Sequence, residues 1–79
     1  MADRYWVGGT GNWSDNTNHW SATSGGSPGA SLPGLSDSVK LESSGIVITA
    51  DINIIIGGQF YQENGTFDAN DHNITANNF

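Results

Sequence analysis

The sequence has no cysteine, so neither a disulfide nor a thiolate metal site can stabilise its fold. Basic residues are also scarce: Arg4 and Lys40 face eight acidic residues, and the formal net charge is −6. A nucleic acid backbone is bound by clustered lysine and arginine, and an anionic membrane surface attracts the same residues. The composition therefore argues against nucleic acid and against membrane as partners.

Long apolar runs are missing as well. No run approaches the roughly 20 residues that a membrane-spanning helix needs. Residues 1–6 lack the basic region and apolar segment of a secretory signal, so export would need another route or a longer parent chain. A chain of this length is one domain at most and buries only about 60% of its unfolded surface. Association or continuation into a larger structure is expected to supply the remaining stability.

What the sequence does contain is an approximate repeat within residues 45–79. Its two copies, 45–60 and 65–79, share glycine, aspartate, asparagine and isoleucine at a spacing of twenty positions. The recurring pairs are Gly45 and Gly65, Asp51 and Asp71, Asn53 and Asn73, and Ile54 and Ile74. A period of about twenty residues is typical of repeat architectures.

Each copy consists of β-branched and aromatic residues separated by glycine, asparagine and aspartate, which favours strands and turns. We therefore predict an all-β fold, a short parallel β-solenoid (or β-helix) of about two coils of ~20 residues each. The alternative is two unrelated hairpins that share common turn residues. No segment has a convincing helical period, so helix content should be near zero.

The repeat predicts which side chains lie above one another along the solenoid axis. The expected pairs are Ile54 with Ile74, Val47 with Phe67, Asn53 with Asn73 in an amide ladder, and Phe60 with Phe79. Asp51 over Asp71 would bring like charges together, so both are expected at a solvated turn. Ile54 and Ile56 should point inward and Ile55 outward, where the N-terminal loop or a neighbouring subunit would cover it.

Residues 1–44 are predicted to form a Trp-rich N-terminal cap, a Gly/Ser/Pro loop and a first strand, within the same domain as the repeats at 45–79. Trp6, Trp13 and Trp20 fall seven positions apart, but the glycines between the first two exclude a helical heptad. Residues 37–42 alternate like a half-buried strand. The tryptophans are expected to form a buried cluster, and a flat platform for sugars is the alternative.

Few residues indicate chemistry. Neither histidine stands at a diagnostic spacing from a serine or a carboxylate. Glu63 and Asp68 could serve as a glycosidase acid and base, but carboxylates in turns are more often simply solvated. Asp68, Asn70 and Asp71 resemble part of a calcium loop without its other ligands or its glycine. We therefore predict no catalytic residue, no metal and no cofactor.

The opening segment, residues 4–15 (RYWVGGTGNWSD) followed by His19-Trp20, resembles bacteriophage structural proteins of the tail-fibre or tailspike type and related virion surface proteins. A similar tryptophan- and glycine-rich opening occurs in bacterial autotransporter passengers and large adhesins. The likeness covers residues 4–42 and is typical of β-solenoid surface proteins, without defining one function. The chain is much shorter than full members and lacks their receptor-binding or depolymerising part. Without a signal peptide, the phage interpretation is favoured.

The resemblance implies a non-enzymatic virion structural protein of a tailed bacteriophage, either a tail-fibre or tailspike component in host attachment or a capsid decoration protein. Its partners would be other virion proteins or copies of itself, for example in a trimer. The candidate assembly residues are Trp6, Trp13, Trp20 and Ile55. One alternative is a fragment of a surface adhesin or autotransporter passenger, extracellular and bound to a host glycan or protein. Another is a fragment of a polysaccharide-degrading enzyme, supported only by the Glu63 and Asp68 pair.

Overall fold

The computed structural model describes residues 3–76, which form nine short strands and one helix of four residues. The elements are β1 Asp3–Trp6, β2 Gly11–Asn12, α1 Asn16–His19, β3 Trp20–Ser21, β4 Ser38–Leu41, β5 Val47–Thr49, β6 Ile54–Ile55, β7 Phe60–Gln62, β8 Thr66–Asp68 and β9 Ile74–Thr75. The predicted all-β class is confirmed for this part of the chain. The strand predicted at residues 37–42 is β4.

The strands form three sheets, with the orders β3-β1-β4-β7, β2-β5-β8 and β6-β9. Among residues 3–76, every strand pairing is parallel except that of β1 with β3. Strands β4, β5 and β6 belong to the three sheets in order, and β7 then belongs to the first sheet again. We call β1 and β2 the first pass, β4 to β6 the second pass, and β7 to β9 the third pass. A two-residue hairpin joins antiparallel strands only, so the hairpin alternative is wrong for residues 45–76.

Glycines in the left-handed backbone conformation form the turns that precede equivalent strands of the second and third passes. Gly45 precedes β5 with φ 72° and Gly65 precedes β8 with φ 79°. A side chain disfavours this backbone conformation, which glycine adopts without steric cost. The repeated glycine seen in the sequence is therefore a repeated corner of the fold.

One predicted pair of stacked residues is confirmed by the strand register. Ile54 of β6 lies opposite Ile74 of β9, and Ile55 lies opposite Thr75. Ile54 and Ile56 are buried, whereas Ile55 is 57% exposed, so the predicted inward and outward alternation is also correct. Period-two alternation in a strand thus identified the buried face.

A second predicted pair is wrong by one residue. Val47 was expected opposite Phe67, but Val47 pairs with Thr66, and Ile48 is the residue opposite Phe67. Accordingly Ile48 is buried and Val47 is exposed. A slip of one residue exchanges the two faces of a strand, so the error changes which side chain enters the core.

The slip arises because the segments that connect the strands differ in length between the second and third passes. The spacing between paired residues is nineteen positions in β5 and β8, and twenty in β6 and β9. The third pass has an extra residue between β8 and β9, where Asn70 and Asp71 take φ values of 49° and 62°. A constant period of twenty could not anticipate this compensation.

Two predicted pairs remain, Asn53 with Asn73 and Phe60 with Phe79. The Oδ1 atom of Asn53 accepts the backbone N–H of Asn73 at 3.0 Å, instead of the side-chain amide that a ladder requires. Phe79 lies outside the described residues. Phe60 in β7 lies opposite Val39 of β4.

The core lies between the three sheets and draws on all three passes. Its buried apolar residues are Trp6, Trp13, Trp20, Val39, Leu41, Ile48, Ala50, Ile54, Ile56 and Phe60. Phe67, Ile74 and Ala76 of the third-pass side are only partly buried against it. The core is therefore closed around the first and second passes and less complete around the third.

Candidate functional site

The three tryptophans lie together in the core. Each is at most 2% exposed. The ring of Trp20 meets Trp6 edge-on at a centroid distance of 5.1 Å and Trp13 at 4.7 Å. Their predicted burial is confirmed, and an open stacking platform for a sugar is excluded, because no ring face is accessible. We call Trp6, Trp13, Trp20 and the adjoining His19 the tryptophan cluster.

The glycines of the opening motif fit closely around this cluster. The imidazole of His19 stacks on Trp6 at 4.3 Å, and its Nδ1 lies 2.7 Å from the carbonyl oxygen of Val7. A Cβ atom at Gly11 would lie only 2.1 Å from Nε2 of His19. The indole N–H of Trp6 donates to the carbonyl oxygen of Gly9 at 2.7 Å. The motif therefore packs an aromatic cluster, and nothing in the sequence indicated the part of His19.

The turn after β2 is tied to the second pass by one carboxylate. Asp51 accepts hydrogen bonds from the backbone N–H of Ser14 at 3.0 Å and from its hydroxyl at 2.5 Å. Burial alone would raise the pKa of Asp51, but these hydrogen bonds and the nearby His72 hold it below its usual value of 3.8. Asp51, which was expected at a solvated turn, is half-buried and bonded to the first-pass side.

The groups considered for catalysis or metal binding have other neighbours. Nε2 of His19 lies 4.0 Å from the carboxylate of Asp15, beyond hydrogen-bonding distance. Glu63 and Asp68 are exposed on the third pass, and Asp68 accepts the N–H of Asn70 at 2.9 Å. Within residues 3–76, no group of three or more His, Cys, Asp or Glu side chains is placed to hold a metal. None of the helical structure described in that range is long and apolar enough to cross a bilayer.

The third pass presents an apolar concave surface. Its strands β7, β8 and β9 are the outermost strands of the three sheets within the described residues. A cavity of about 310 Å³ on this side is lined by Phe60, Gln62, Phe67 and Ile74. The rings of Phe60 and Phe67 meet edge-on at 5.1 Å. We call this surface, formed by these four residues, the third-pass edge.

A more polar groove of about 500 Å³ lies where β1 and β4 end, beside the loop of residues 24–28. Its lining includes Ser24, Glu42 and Ser43. The hydroxyl of Ser24 donates to the carboxylate of Glu42 at 2.5 Å, which ties the loop to the strand end. The groove combines one carboxylate, hydroxyl groups and glycine backbone, a set that suits a hydroxylated ligand.

Comparisons of the chain with protein-family models, curated proteins and solved structures found no match. The tryptophan cluster is internal, whereas the third-pass edge and the polar groove are accessible. The last two are the candidate sites of contact with other molecules.

Proposed function

We propose that the three parallel sheets are the coils of a short β-solenoid. We further propose that the chain is a non-enzymatic virion structural protein of a tailed bacteriophage, acting by assembly on the particle surface. It would be a tail-fibre or tailspike component or a capsid decoration protein. This assignment joins the fold to the likeness of residues 4–15 to such proteins.

The observation that carries the proposal is the repeated parallel pairing of successive passes. Residues of β4, β5 and β6 lie opposite residues of β7, β8 and β9 that are about twenty positions further along the chain. Each added pass lengthens such a stack by the strand spacing of roughly 4.8 Å. Stacking of this kind converts chain length into a rod, the shape that fibres and spikes require.

The opening motif gives the second support. Its tryptophans and glycines are used in packing: Trp20 is fully buried, and its indole N–H donates to the carbonyl oxygen of Trp13 at 2.8 Å. A motif whose residues pack in the core is expected in a structural protein. The exposed Ile55 remains the candidate for a contact between subunits, either with other virion proteins or with copies of the chain in a trimer.

The proposal is tested on particles. Phage particles purified from a culture that carries the gene should contain the chain, detected by mass spectrometry and by antibody labelling in electron micrographs. The flanking genes should encode portal, capsid or tail proteins. Detection only in bacterial outer-membrane fractions would overturn the virion assignment. Turnover of capsular polysaccharide by the purified chain would overturn its non-enzymatic character.

The alternative, a surface adhesin or autotransporter passenger fragment, is favoured by the polar groove. Glu42 and the hydroxyls of Ser24 and Ser43 could receive sugar hydroxyl groups there. A glycan array probed with the chain tests this idea, with Glu42→Ala inside the groove and Glu63→Ala, another exposed carboxylate, outside it. Glycan binding lost only with Glu42→Ala would favour the adhesin over the virion protein.

A further inference from the structure

We propose that the turn between β7 and β8 is a site of self-modification, at which Asn64 loses its side-chain nitrogen and becomes a mixture of aspartate and isoaspartate. The reaction needs water and no enzyme. It goes beyond the proposed assembly role and does not rest on it. Three properties of the turn carry the inference: its sequence, the state of one backbone N–H and its exposure to solvent.

The turn contains the only asparagine of the sequence that is followed by glycine, Asn64-Gly65. Asparagine is a thermolabile residue. Its reaction begins when the backbone nitrogen of the next residue attacks the side-chain Cγ, and a Cβ atom on that next residue hinders the approach. Glycine has no Cβ and adopts backbone conformations that other residues disfavour, as Gly65 does with φ 79°. The nitrogen of Gly65 is therefore the least hindered nucleophile that follows an asparagine in this sequence.

The fold leaves this nucleophile without a hydrogen bond. The N–H of Gly65 has no acceptor in the described part of the chain. By contrast, the N–H that follows Asn18, that of His19, donates to a backbone carbonyl oxygen at 3.1 Å. The N–H that follows Asn53, that of Ile54, does so at 2.8 Å. Such a bond must break before the nitrogen can attack, so the fold protects those asparagines and not Asn64.

Solvent reaches the reacting groups. Asn64 is exposed and Gly65 is half-buried. The side-chain amide of Asn64 donates to the carbonyl oxygen of Glu42 at 3.2 Å, at an exposed position. Water replaces an exposed hydrogen bond at small cost. The side-chain amide can therefore leave this bond and turn towards the nitrogen of Gly65.

The reaction has two steps, and both balance with water alone. The nitrogen of Gly65 forms a bond to Cγ of Asn64 and gives its proton to solvent, while the side-chain nitrogen takes up a proton and leaves as ammonia. The product is a succinimide ring. Water then opens the ring at Cγ to give aspartate, or at the main-chain carbonyl carbon to give isoaspartate. In isoaspartate the backbone runs through Cβ and Cγ and is longer by one carbon atom.

The longer backbone would fall between two hydrogen bonds that hold the third pass to the second. Asn64 donates its N–H to Leu41 at 3.1 Å, and Thr66 donates to Ile46 at 2.9 Å. Strand β8 begins at Thr66. An extra atom between these two donors strains both bonds, so isoaspartate should loosen β8, whereas aspartate keeps the original backbone.

The test follows the full 79-residue chain during storage in mildly alkaline buffer, because hydroxide removes the proton of the attacking nitrogen. Chymotrypsin, which cuts after Tyr61 and Phe67, releases a peptide that contains a single asparagine. Mass spectrometry measures the exchange of NH2 for OH, and isoaspartyl methyltransferase labels isoaspartate. Residue 64 should react at least about tenfold faster than Asn70, an exposed asparagine followed by aspartate, and both products should form. Asn64→Gln should abolish the labelling, and Asn70→Gln, the matched control, should not.

A second measurement isolates the contribution of the fold and needs no variant. The rates are measured again in urea, where the hydrogen bonds of the fold are lost. Folding should slow the reaction of Asn18 at least about tenfold, because the N–H of His19 is engaged, and should change that of Asn64 by less than about threefold. Equal slowing at the two positions would show that the fold does not leave the nitrogen of Gly65 available.

Urea denaturation of stored chains measures the consequence. Chains with isoaspartate at position 64 should unfold at a lower urea concentration than Asn64→Asp, which has the charge of the product and the original backbone. Equal unfolding would contradict the loosening of β8. The site itself is overturned if residue 64 stays unmodified, reacts no faster than Asn70, or yields aspartate without isoaspartate. None of these outcomes bears on the virion assignment, which is tested on particles.

Discussion

The first-pass side and the third-pass side of this small protein differ in how completely their apolar side chains are buried. On the first-pass side, β3 pairs along β1 and its Trp20 is fully buried in the tryptophan cluster. On the third-pass side, Phe67 and Ile74 are only partly buried against the core. The difference shows that strand stacking alone leaves the outer apolar side chains partly exposed, and that bulky side chains such as Trp20 are what bury the first-pass side.

The means of stabilisation also differ between the two sides. The first-pass side uses large aromatic rings, indole hydrogen bonds to carbonyl oxygens and glycines that allow close approach. The later passes use isoleucine stacked on isoleucine, as in Ile54 and Ile74. The first arrangement depends on a few specific contacts, and the second can be repeated with each added pass.

The largest effect is expected from Trp20→Ala. The side chain is completely buried and contacts two other tryptophans, so its removal should lower the free energy of unfolding by about 3–5 kcal/mol. Urea denaturation followed by circular dichroism measures the loss, and Ile55→Ala, at an exposed position, is the control. A loss no greater than that of the control would show that the tryptophan cluster does not hold the first-pass side.

Gly11→Ala tests the close contact with His19. The added methyl would overlap the imidazole, and overpacking of this kind should cost about 1–3 kcal/mol. The double variant Gly11→Ala with His19→Ala should lose less than the sum of the two single variants, because the two residues share one contact. Strictly additive losses in thermal denaturation would contradict the contact.

Asp51→Asn tests the link between the two regions. It should cost about 1 kcal/mol at neutral pH, because the ionised carboxylate accepts two hydrogen bonds from Ser14. Folding lowers the pKa of Asp51, so this contribution is complete above the unfolded value of 3.8 and is lost as pH falls through the lower folded value. The difference in stability between the variant and the unmodified chain should therefore shrink below about pH 4. A difference that is constant from pH 7 to pH 2, in urea titrations, would contradict the assigned role.

The smallest effect compares the second and third passes directly. Ile54→Val should cost about 1 kcal/mol, because the side chain is buried, and Ile74→Val about half as much. Urea denaturation of the two variants measures both costs. Equal costs would show that the two passes are equally well buried.

Local pattern was a reliable guide wherever a feature depended on neighbouring residues. The all-β class, the β4 strand, the outward Ile55 and the burial of the tryptophans all followed from composition and alternation. Features that depended on the lengths of the segments between strands could not be predicted from composition and alternation. The Val47 register failed because the segment between β7 and β8 is two residues shorter than the segment between β4 and β5, and one residue is regained at Asn70 and Asp71. Nothing in the repeat indicated that β1 and β2 would join the same sheets as the later passes.

The candidate sites were less predictable than the fold. The tryptophans stood out in the sequence but are internal, whereas the third-pass edge combines residues from three separate strands. Phe60, Phe67 and Ile74 lie in separate short strands, and no sequence motif links them. Only the stacking of strands brings them to one surface.

By itself, the amino-acid sequence determined that this chain forms short strands with a buried aromatic cluster, because backbone preference and side-chain alternation act over a few neighbouring residues. The tertiary structure alone decided which residues face each other, which carboxylate binds Ser14 and which apolar side chains remain accessible. Those outcomes depend on contacts between residues far apart in the chain, and a change of one residue at a corner is enough to exchange the faces of a strand.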